Sequence, residues 1–261
     1  LIQCVDGPKD ALDSTVISQP AIFVSSMACV EKLRKENPAA IDSCTVAMGL
    51  SLGEFSALCF AGAFSFEDGV RLTKTRGEAM QAASDACQSG MVAVVGLDSV
   101  AVQKICEAAA ARSGEPIGIA NYLSEGNYAV SGGKAACAAV IELAPSMGAR
   151  MVVPLAVAGA FHTAYMQPAV ASLRTALEAV DIRTPRIPVI ANVDATAHYE
   201  PADIRSALVR QVTSPVRWES TMRAMLTAPD FETAYELGPG SVCRAIVKRF
   251  NKRASVVGVQ A

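Results

Sequence analysis

The chain has 261 residues, of which 51% are hydrophobic, 18% charged and 5% aromatic, and its formal net charge is -2. That length and apolar content can fill one large core, or one domain carrying a smaller insert. The balanced charge and the scarcity of aromatic rings speak against nucleic acid or an anionic membrane as partner. From the N-terminal side, Pro20 to Leu33 has helical spacing, with Ile22, Met27, Val30 and Leu33 apolar and charge from Lys32 to Glu36 closing it. Cys44 to Met48 reads as a short buried strand. A tight Gly49-Leu50-Ser51-Leu52-Gly53 turn follows, then a helix through Ala61 stopped by Gly62. Ser65-Phe66-Glu67-Asp68 resembles a capping box that opens a helix to about Ser84.

The period then changes. Met91–Leu97 reads as a strand, Ser99–Arg112 as a helix, and Ile117–Tyr122 and Asn127–Ser131 as strands around a Ser-Glu-Gly turn. Lys134–Met147 reads as a helix and Arg150–Val157 as a strand. This β-α-β-β-α-β order is the ferredoxin-like unit. A helix from after His162 through Val180, a strand at Ile187–Asn192, a polar loop at Asp194–Pro201 and a helix at Ala202–Gln211 come next. Last are a strand at Thr233–Leu237, the Gly238-Pro239-Gly240 turn and a helix over Ser241–Phe250. Alternating strands and helices predict a largely parallel sheet covered on both faces. The fold class expected is α/β: a hydrolase-like parallel-sheet domain, residues 1–88 and 158–261, with an inserted ferredoxin-like βαββαβ subdomain, residues 89–157.

The cysteines, Cys4, Cys29, Cys44, Cys59, Cys87, Cys106, Cys137 and Cys243, form no C-x-x-C pair, and most sit among Ala, Val and Leu. They read as free thiols in a reducing compartment, with a disulfide-stapled secreted fold as the weaker alternative, and no zinc site is expected. No signal or transit peptide is recognisable at Leu1. Met151 to Leu173 lacks Asp, Glu, Lys and Arg and is long enough to span a bilayer. Pro154, His162, Gln167 and Pro168 interrupt it, so it reads as a buried strand, a loop and a helix start.

Gly-x-Ser-x-Gly between a strand and a helix is the pattern of a nucleophile elbow. Ser51 is the candidate nucleophile, against the plainer reading of an idle serine in a strand–helix turn. The two glycines would let the backbone fold tightly where a Cβ would clash. The Leu52 backbone N–H, at a helix start, is a natural oxyanion donor. His162, after an apolar strand and the small-residue loop Ala158-Gly159-Ala160-Phe161, is the candidate base; the plain reading is a satisfied core histidine. His198 is its rival, in a polar loop that looks solvent-facing. Arg76 lies four residues from both Leu72 and Met80, on an apolar stripe. Either it snorkels or its fork meets a carboxylate, and spacing does not decide between them. A common esterase would place an acid and then a His near the chain's end, so the long segment after His162 points elsewhere.

Several segments together resemble the malonyl-CoA:acyl-carrier-protein transacylases. They are Gly49-Leu50-Ser51-Leu52-Gly53-Glu54, Thr75-Arg76-Gly77-Glu78-Ala79-Met80-Gln81, Ala120-Asn121-Tyr122 with Gly126-Asn127-Tyr128-Ala129-Val130-Ser131-Gly132-Gly133, Ala158-Gly159-Ala160-Phe161-His162, Ile190-Ala191-Asn192-Val193-Asp194, Leu208-Val209-Arg210-Gln211 and Glu236-Leu237-Gly238-Pro239-Gly240. The resemblance implies a Ser51–His162 dyad in which the Gln211 backbone carbonyl replaces the third carboxylate and holds the imidazole tautomer. It implies that Arg76 pairs with the free carboxylate of a malonyl group, that Asn121 helps to line the site, and that the intermediate is malonyl-Ser51. No metal or redox cofactor is expected; coenzyme A and phosphopantetheine thioesters are the substrates, malonyl-CoA and acyl carrier protein the partners, and the chain itself a monomer.

Two departures from the resemblance are visible. The family opens with a strand and a Gly-Gln-Gly loop that supplies a second oxyanion donor, and this chain begins beyond them; losing one donor costs about 10²–10³ in rate. Leu50 stands where bacterial relatives usually carry His, and together with the ANYLSEGNYAVSGG wording it resembles the plastid form. A plastid stroma is therefore expected, with mitochondrion or cytoplasm as alternatives. The basic run Arg244, Lys248, Arg249, Lys252 and Arg253 is a candidate docking surface for an acidic carrier, against the plain reading of a solvated helix face. Alternative functions are a serine thioesterase, for whose neutral acyl groups Arg76 would be useless, and a non-catalytic carrier-binding module or truncated inactive form.

Overall fold

The computed structural model describes residues 6, 7, 12 and 14–261. Leu1 and Cys4, which entered the reading of leader and thiols, lie outside the described residues. The first long helix, α1 (Thr15–Glu36), starts more than a turn before Pro20, where the sequence pattern placed it. The reason is that its buried stripe opens with polar residues, Thr15 and Gln19, ahead of Phe23, Cys29, Val30 and Leu33. Pro20 is tolerated inside the helix, although it leaves one carbonyl without its intrahelical donor. A short helix, α2 (Pro38–Asp42), follows; Asn37 caps it, and Asn37 Oδ1 accepts from the Ala40 N–H.

Strand β1 covers only Ala47–Met48 of the expected Cys44–Met48 run. Helix α3 (Gly53–Phe60) leaves the turn that carries Ser51. Helix α4 (Phe66–Asp85) begins as its capping pattern predicts, with Ser65 Oγ accepting from the Asp68 N–H. It lies so close to α1 that a Cβ on Gly77 would stand 2.6 Å from the Thr15 carbonyl oxygen. This close approach sinks the neighbouring Arg76 to 2% exposure.

Strands β2 (Ser89–Val95), β3 (Ile117–Ser124), β4 (Asn127–Gly133) and β5 (Met151–Pro154) form a four-stranded sheet in the order β3-β4-β2-β5, antiparallel throughout. Helices α5 (Ser99–Ser113) and α6 (Lys134–Ser146) pack on it around a core that includes Val92, Val94, Ile105, Val130 and Val140. This is the ferredoxin-like connectivity that the element order predicted. One expectation fails here: β5 is not a buried strand. It is an edge strand with Met151 and Val153 largely exposed, and it ends at Pro154, short of the expected Val157.

After His162 comes a single 3₁₀ turn (Ala164–Met166), and α7 (Ala169–Glu178) starts only past Pro168. Strand β6 (Val189–Ile190) pairs parallel with β1, and α8 (Pro201–Gln211) ends at Gln211. Helix α9 (Trp218–Thr227) has no counterpart in the sequence reading. Strand β7 (Thr233–Leu237) matches its expected span and pairs parallel with β8 (Ser255–Val259), which was not foreseen; α10 (Val242–Phe250) connects them. Parallel pairing is therefore present, as two separate pairs among the described residues. One apolar cluster joins α1, α3, α4, α7 and α8 through Phe23, Phe55, Leu72, Leu173 and Leu208. A second joins α9 and α10 through Trp218, Met222 and Ile246, with Met48 and Leu50 packed against it. The seven described cysteines are all free thiols. No helix among the described residues is long and apolar enough to cross a membrane.

Candidate active site

The two-residue strand β1 delivers the chain into the turn at Ser51, whose φ of 52° is left-handed. Such a conformation costs a non-glycine residue about 1–3 kcal/mol unless its surroundings hold it. Asn192 holds it from across the β1·β6 pair. Its Oδ1 accepts from the Ser51 N–H at 2.6 Å, and its Nδ2 donates to the Gly49 carbonyl at 2.9 Å. Of the two glycines, only Gly49 is sterically required. A Cβ there would lie 2.0 Å from both the carbonyl carbon and oxygen of Gly53, whereas a Cβ on Gly53 would meet nothing within 4 Å. The expectation that both glycines avoid a clash is corrected accordingly. Leu52 is the N-cap of α3, and no described group accepts from its backbone N–H.

His162 is 4% exposed and also has a left-handed φ, 61°. Its Nδ1 lies 2.8 Å from the Gln211 carbonyl oxygen and its Nε2 lies 2.9 Å from Ser51 Oγ. A carbonyl can only accept, so Nδ1 carries the proton, Nε2 is the free base, and Ser51 Oγ–H donates to it. Burial, reinforced by the positive charge of Arg76, lowers the imidazole to about 4, so it is neutral at physiological pH.

Arg76 does not snorkel. Its Nη1 donates to Gln19 Oε1 at 2.7 Å, and its Nη2 donates to Gln211 Oε1 at 2.9 Å and to Ser51 Oγ at 3.0 Å. Burial lowers it to about 10, which leaves it charged at neutral pH. Its Nε is buried with no acceptor among the described residues, an unmet donor of the kind a carboxylate could satisfy.

Four contributors were not legible in the sequence: Gln19, Glu54, Asn192 and the side chain of Gln211. Glu54 is 2% exposed, and its Oε2 accepts from the Asn192 N–H at 3.0 Å and from Gln211 Nε2 at 2.7 Å. Burial raises it to about 7 against the pull of those two donors. Gln211 Nε2 also donates to the Ser51 carbonyl at 2.9 Å. Only the presence of Glu54, Asn192 and Gln211 within the resembling segments marked their neighbourhood; Gln19 lies outside them.

Ser51, Leu52, Arg76, Asn121 and His162 line one cavity of about 1200 Å³ that continues to Trp218 and Met222. Asn121, on β3, is 8% exposed and makes no hydrogen bond to the serine, histidine or arginine. His198 is not among the lining residues; it pairs with Asp194 at 3.0 Å outside the cavity. In the basic run, Lys248 Nζ is occupied by the carbonyls of Lys252 at 3.2 Å and Ala254 at 2.7 Å, while Arg249, Lys252 and Arg253 are exposed.

A serine hydroxyl hydrogen-bonded to a buried neutral imidazole, at a helix start, has the chemistry of a nucleophile that can be acylated. The acyl transferase domain family matches residues 2–260, and the chain belongs to it. Among curated relatives, the human mitochondrial malonyl-CoA-acyl carrier protein transacylase is 41% identical over 258 residues, 95% of this chain and 66% of the human protein's length. The malonyl CoA-acyl carrier protein transacylase of Bacillus subtilis is 37% identical over 254 residues, 97% of this chain and 78% of its own length. The crystal structure of an acyl-carrier-protein-S-malonyltransferase from Bartonella henselae matches with a TM-score of 0.91 at 38% identity, over 98% of this chain and 81% of that one.

Proposed function

We propose that the chain transfers a malonyl group from coenzyme A to the phosphopantetheine thiol of acyl carrier protein, through a malonyl ester on Ser51, for fatty-acid synthesis. The observation that carries this reading is the position of Arg76. A buried guanidinium 3.0 Å from Ser51 Oγ is of use to an acyl group that ends in a carboxylate and of none to a neutral one. A thioesterase of neutral acyl groups would have no need of it.

In the first half-reaction Ser51 Oγ attacks the thioester carbonyl while its proton passes to His162 Nε2. The Gln211 carbonyl, 2.8 Å from Nδ1, steadies the imidazolium that forms. The Leu52 N–H is the proposed donor to the oxyanion. Collapse breaks the C–S bond, and the coenzyme A thiolate leaves with the proton from His162. In the second half-reaction the carrier's thiol gives its proton to His162 and attacks the ester; the malonyl group moves to sulfur, and Ser51 regains its proton. Arg76 holds the malonyl carboxylate throughout, and Asn121 borders the acyl chain. The steps use no cofactor beyond the two thioesters. The exposed Arg249, Lys252 and Arg253 are the proposed carrier-facing charges, and an organelle, plastid or mitochondrion, is the proposed site of action.

The test is mass spectrometry of the protein after incubation with malonyl-CoA. A malonyl adduct on Ser51 is expected, absent in Ser51→Ala. In Arg76→Ala it should form at least about a hundredfold more slowly, the loss that follows from removing one partner of a buried charge pair. Equal labelling of Arg76→Ala and the parent protein would overturn the malonyl assignment.

A further inference from the structure

Among the described residues Glu54 is the only buried Asp or Glu, and the acyl-transfer steps above do not use it. It lies three residues past Ser51, in α3, and reaches two elements far away in the chain. Its Oε2 takes the Gln211 Nε2–H at 2.7 Å and the Asn192 backbone N–H at 3.0 Å. The consequence lies at the other end of the Gln211 amide. A glutamine amide can sit either way round, and its neighbours decide which. Here Nε2 faces two acceptors, Glu54 Oε2 and the Ser51 carbonyl. Oε1 is thereby turned toward Arg76 Nη2, which donates to it at 2.9 Å. The reverse orientation would set NH₂ against the guanidinium and oxygen against the carboxylate, an unfavourable contact at both ends.

We propose that Glu54 is a positioning residue for acyl-group selection: its carboxylate fixes the Gln211 amide so that Oε1 seats the Arg76 guanidinium beside Ser51. The proposal rests on the malonyl-transfer reading. Glu54 touches neither thioester nor nucleophile; it reaches Arg76 through Gln211, while its second bond, to the Asn192 N–H, bears on the Ser51 backbone and so on both substrates alike. Because the Gln211 backbone carbonyl, not its side chain, serves His162, the relay sets which acyl group is accepted separately from how the nucleophile is deprotonated.

The experiment compares serine acylation by malonyl-CoA and acetyl-CoA in the parent protein and in Glu54→Leu, Glu54→Gln and Gln211→Leu. Glu54→Leu should lower the malonyl-to-acetyl ratio by about tenfold or more, mainly through a higher KM for malonyl-CoA, as expected for losing a charge-assisted hydrogen bond. Glu54→Gln keeps an oxygen that can accept both N–H groups, so it should hold the ratio within about threefold of the parent. Gln211→Leu, which retains the backbone carbonyl, should show the same loss as Glu54→Leu and decides the matter if Glu54→Leu does not fold. The relay is overturned if Gln211→Leu keeps the parent ratio, if Glu54→Gln is as impaired as Glu54→Leu, or if both substrates fall in proportion. A parent protein that forms no malonyl-Ser51 would instead remove the transfer reading and the relay with it.

Discussion

The antiparallel sheet and the Ser51 turn are held together by different means. In the sheet, seven residue pairs register β2 against β4 in an unbroken ladder, and the face beneath is filled by fully buried Val94, Ile105 and Val130. At the turn, β1 and β6 share only two pairs, Ala47 with Val189 and Met48 with Ile190. What fixes the backbone there is a set of side chains: Asn192 on Ser51 and Gly49, Glu54 on Asn192, Gln211 on Ser51. The sheet gains its order from repetition, where any one residue is a small part. The turn gains it from single contacts, each with a distinct job, and it holds the left-handed Ser51 against His162, itself left-handed in its own loop. Damage to the first should therefore appear as lost stability, and damage to the second as lost rate.

The largest effect expected on the rate side comes from His162→Asn. Asparagine tolerates the left-handed backbone that His162 adopts at φ 61° but supplies no base. Ser51 acylation should fall by roughly 10⁴-fold or more, with the melting temperature moved by only a few degrees. On the stability side, Ile105→Ala empties a fully buried site in the sheet's core. It should cost about 2–5 kcal/mol in denaturant unfolding while leaving the acylation rate of the folded protein near the parent value. A slower folded enzyme would mean that the sheet and the turn are coupled more tightly than their separate cores imply.

How much of this was readable beforehand follows the same division. The ferredoxin-like unit was legible because its element order is written in the composition: a near-continuous apolar run at Met91–Leu97, an alanine-rich stretch at Ser99–Arg112, and a Ser-Glu-Gly turn between the strands Ile117–Tyr122 and Asn127–Ser131. Ser51, His162 and Arg76 were legible as chemistry, through an elbow pattern, a small-residue loop at the end of an apolar run and a charge on an apolar stripe. Gln19 was not, and Glu54 and Asn192 were marked only as members of resembling segments, because nothing local shows what they hold. Their roles exist only once residues 138 positions apart, such as Glu54 and Asn192, meet. The start of α1 was missed for a related reason: Thr15 and Gln19 occupy buried positions as polar residues, since Gln19 serves Arg76 and not the apolar core. Helix α9 hid behind Thr221, a polar member of its otherwise apolar buried set, Trp218 and Met222.

The two glycines of the elbow sharpen the comparison inside the turn itself. Gly49→Ala drives a Cβ into the Gly53 backbone at 2.0 Å, and backbone cannot move aside as a side chain can. A loss on the order of 3 kcal/mol, together with impaired acylation, is expected. Gly53→Ala places its methyl in open space at the first residue of α3, and should be neutral or stabilising by up to about 1 kcal/mol. Urea midpoints of the two variants measure the contrast; equal losses would show that the motif's spacing, and not the close approach at Gly49, is what the turn requires.

The smallest effect is a cancellation in pH dependence. His162 falls to about 4 in the folded protein, from about 6.5 when unfolded. Between those values the unfolded chain binds the extra proton, so this residue's contribution is complete above about pH 6.5 and is lost as pH falls toward 4. Glu54 rises to about 7, from about 4.3 when unfolded. Here the folded state binds the extra proton, so stability is greatest at low pH and is lost as pH rises toward 7. Over roughly pH 4.5 to 6.5 the two slopes have opposite signs and offset one another, while Arg76, at about 10, stays charged and contributes no slope. Glu54→Gln removes one of the pair. Its unfolding free energy should climb relative to the parent's across that window, by up to about 1.4 kcal/mol per pH unit. Parallel curves for the two proteins would mean that Glu54 is already ionised throughout, held so by Gln211 and the Asn192 N–H more firmly than its burial opposes.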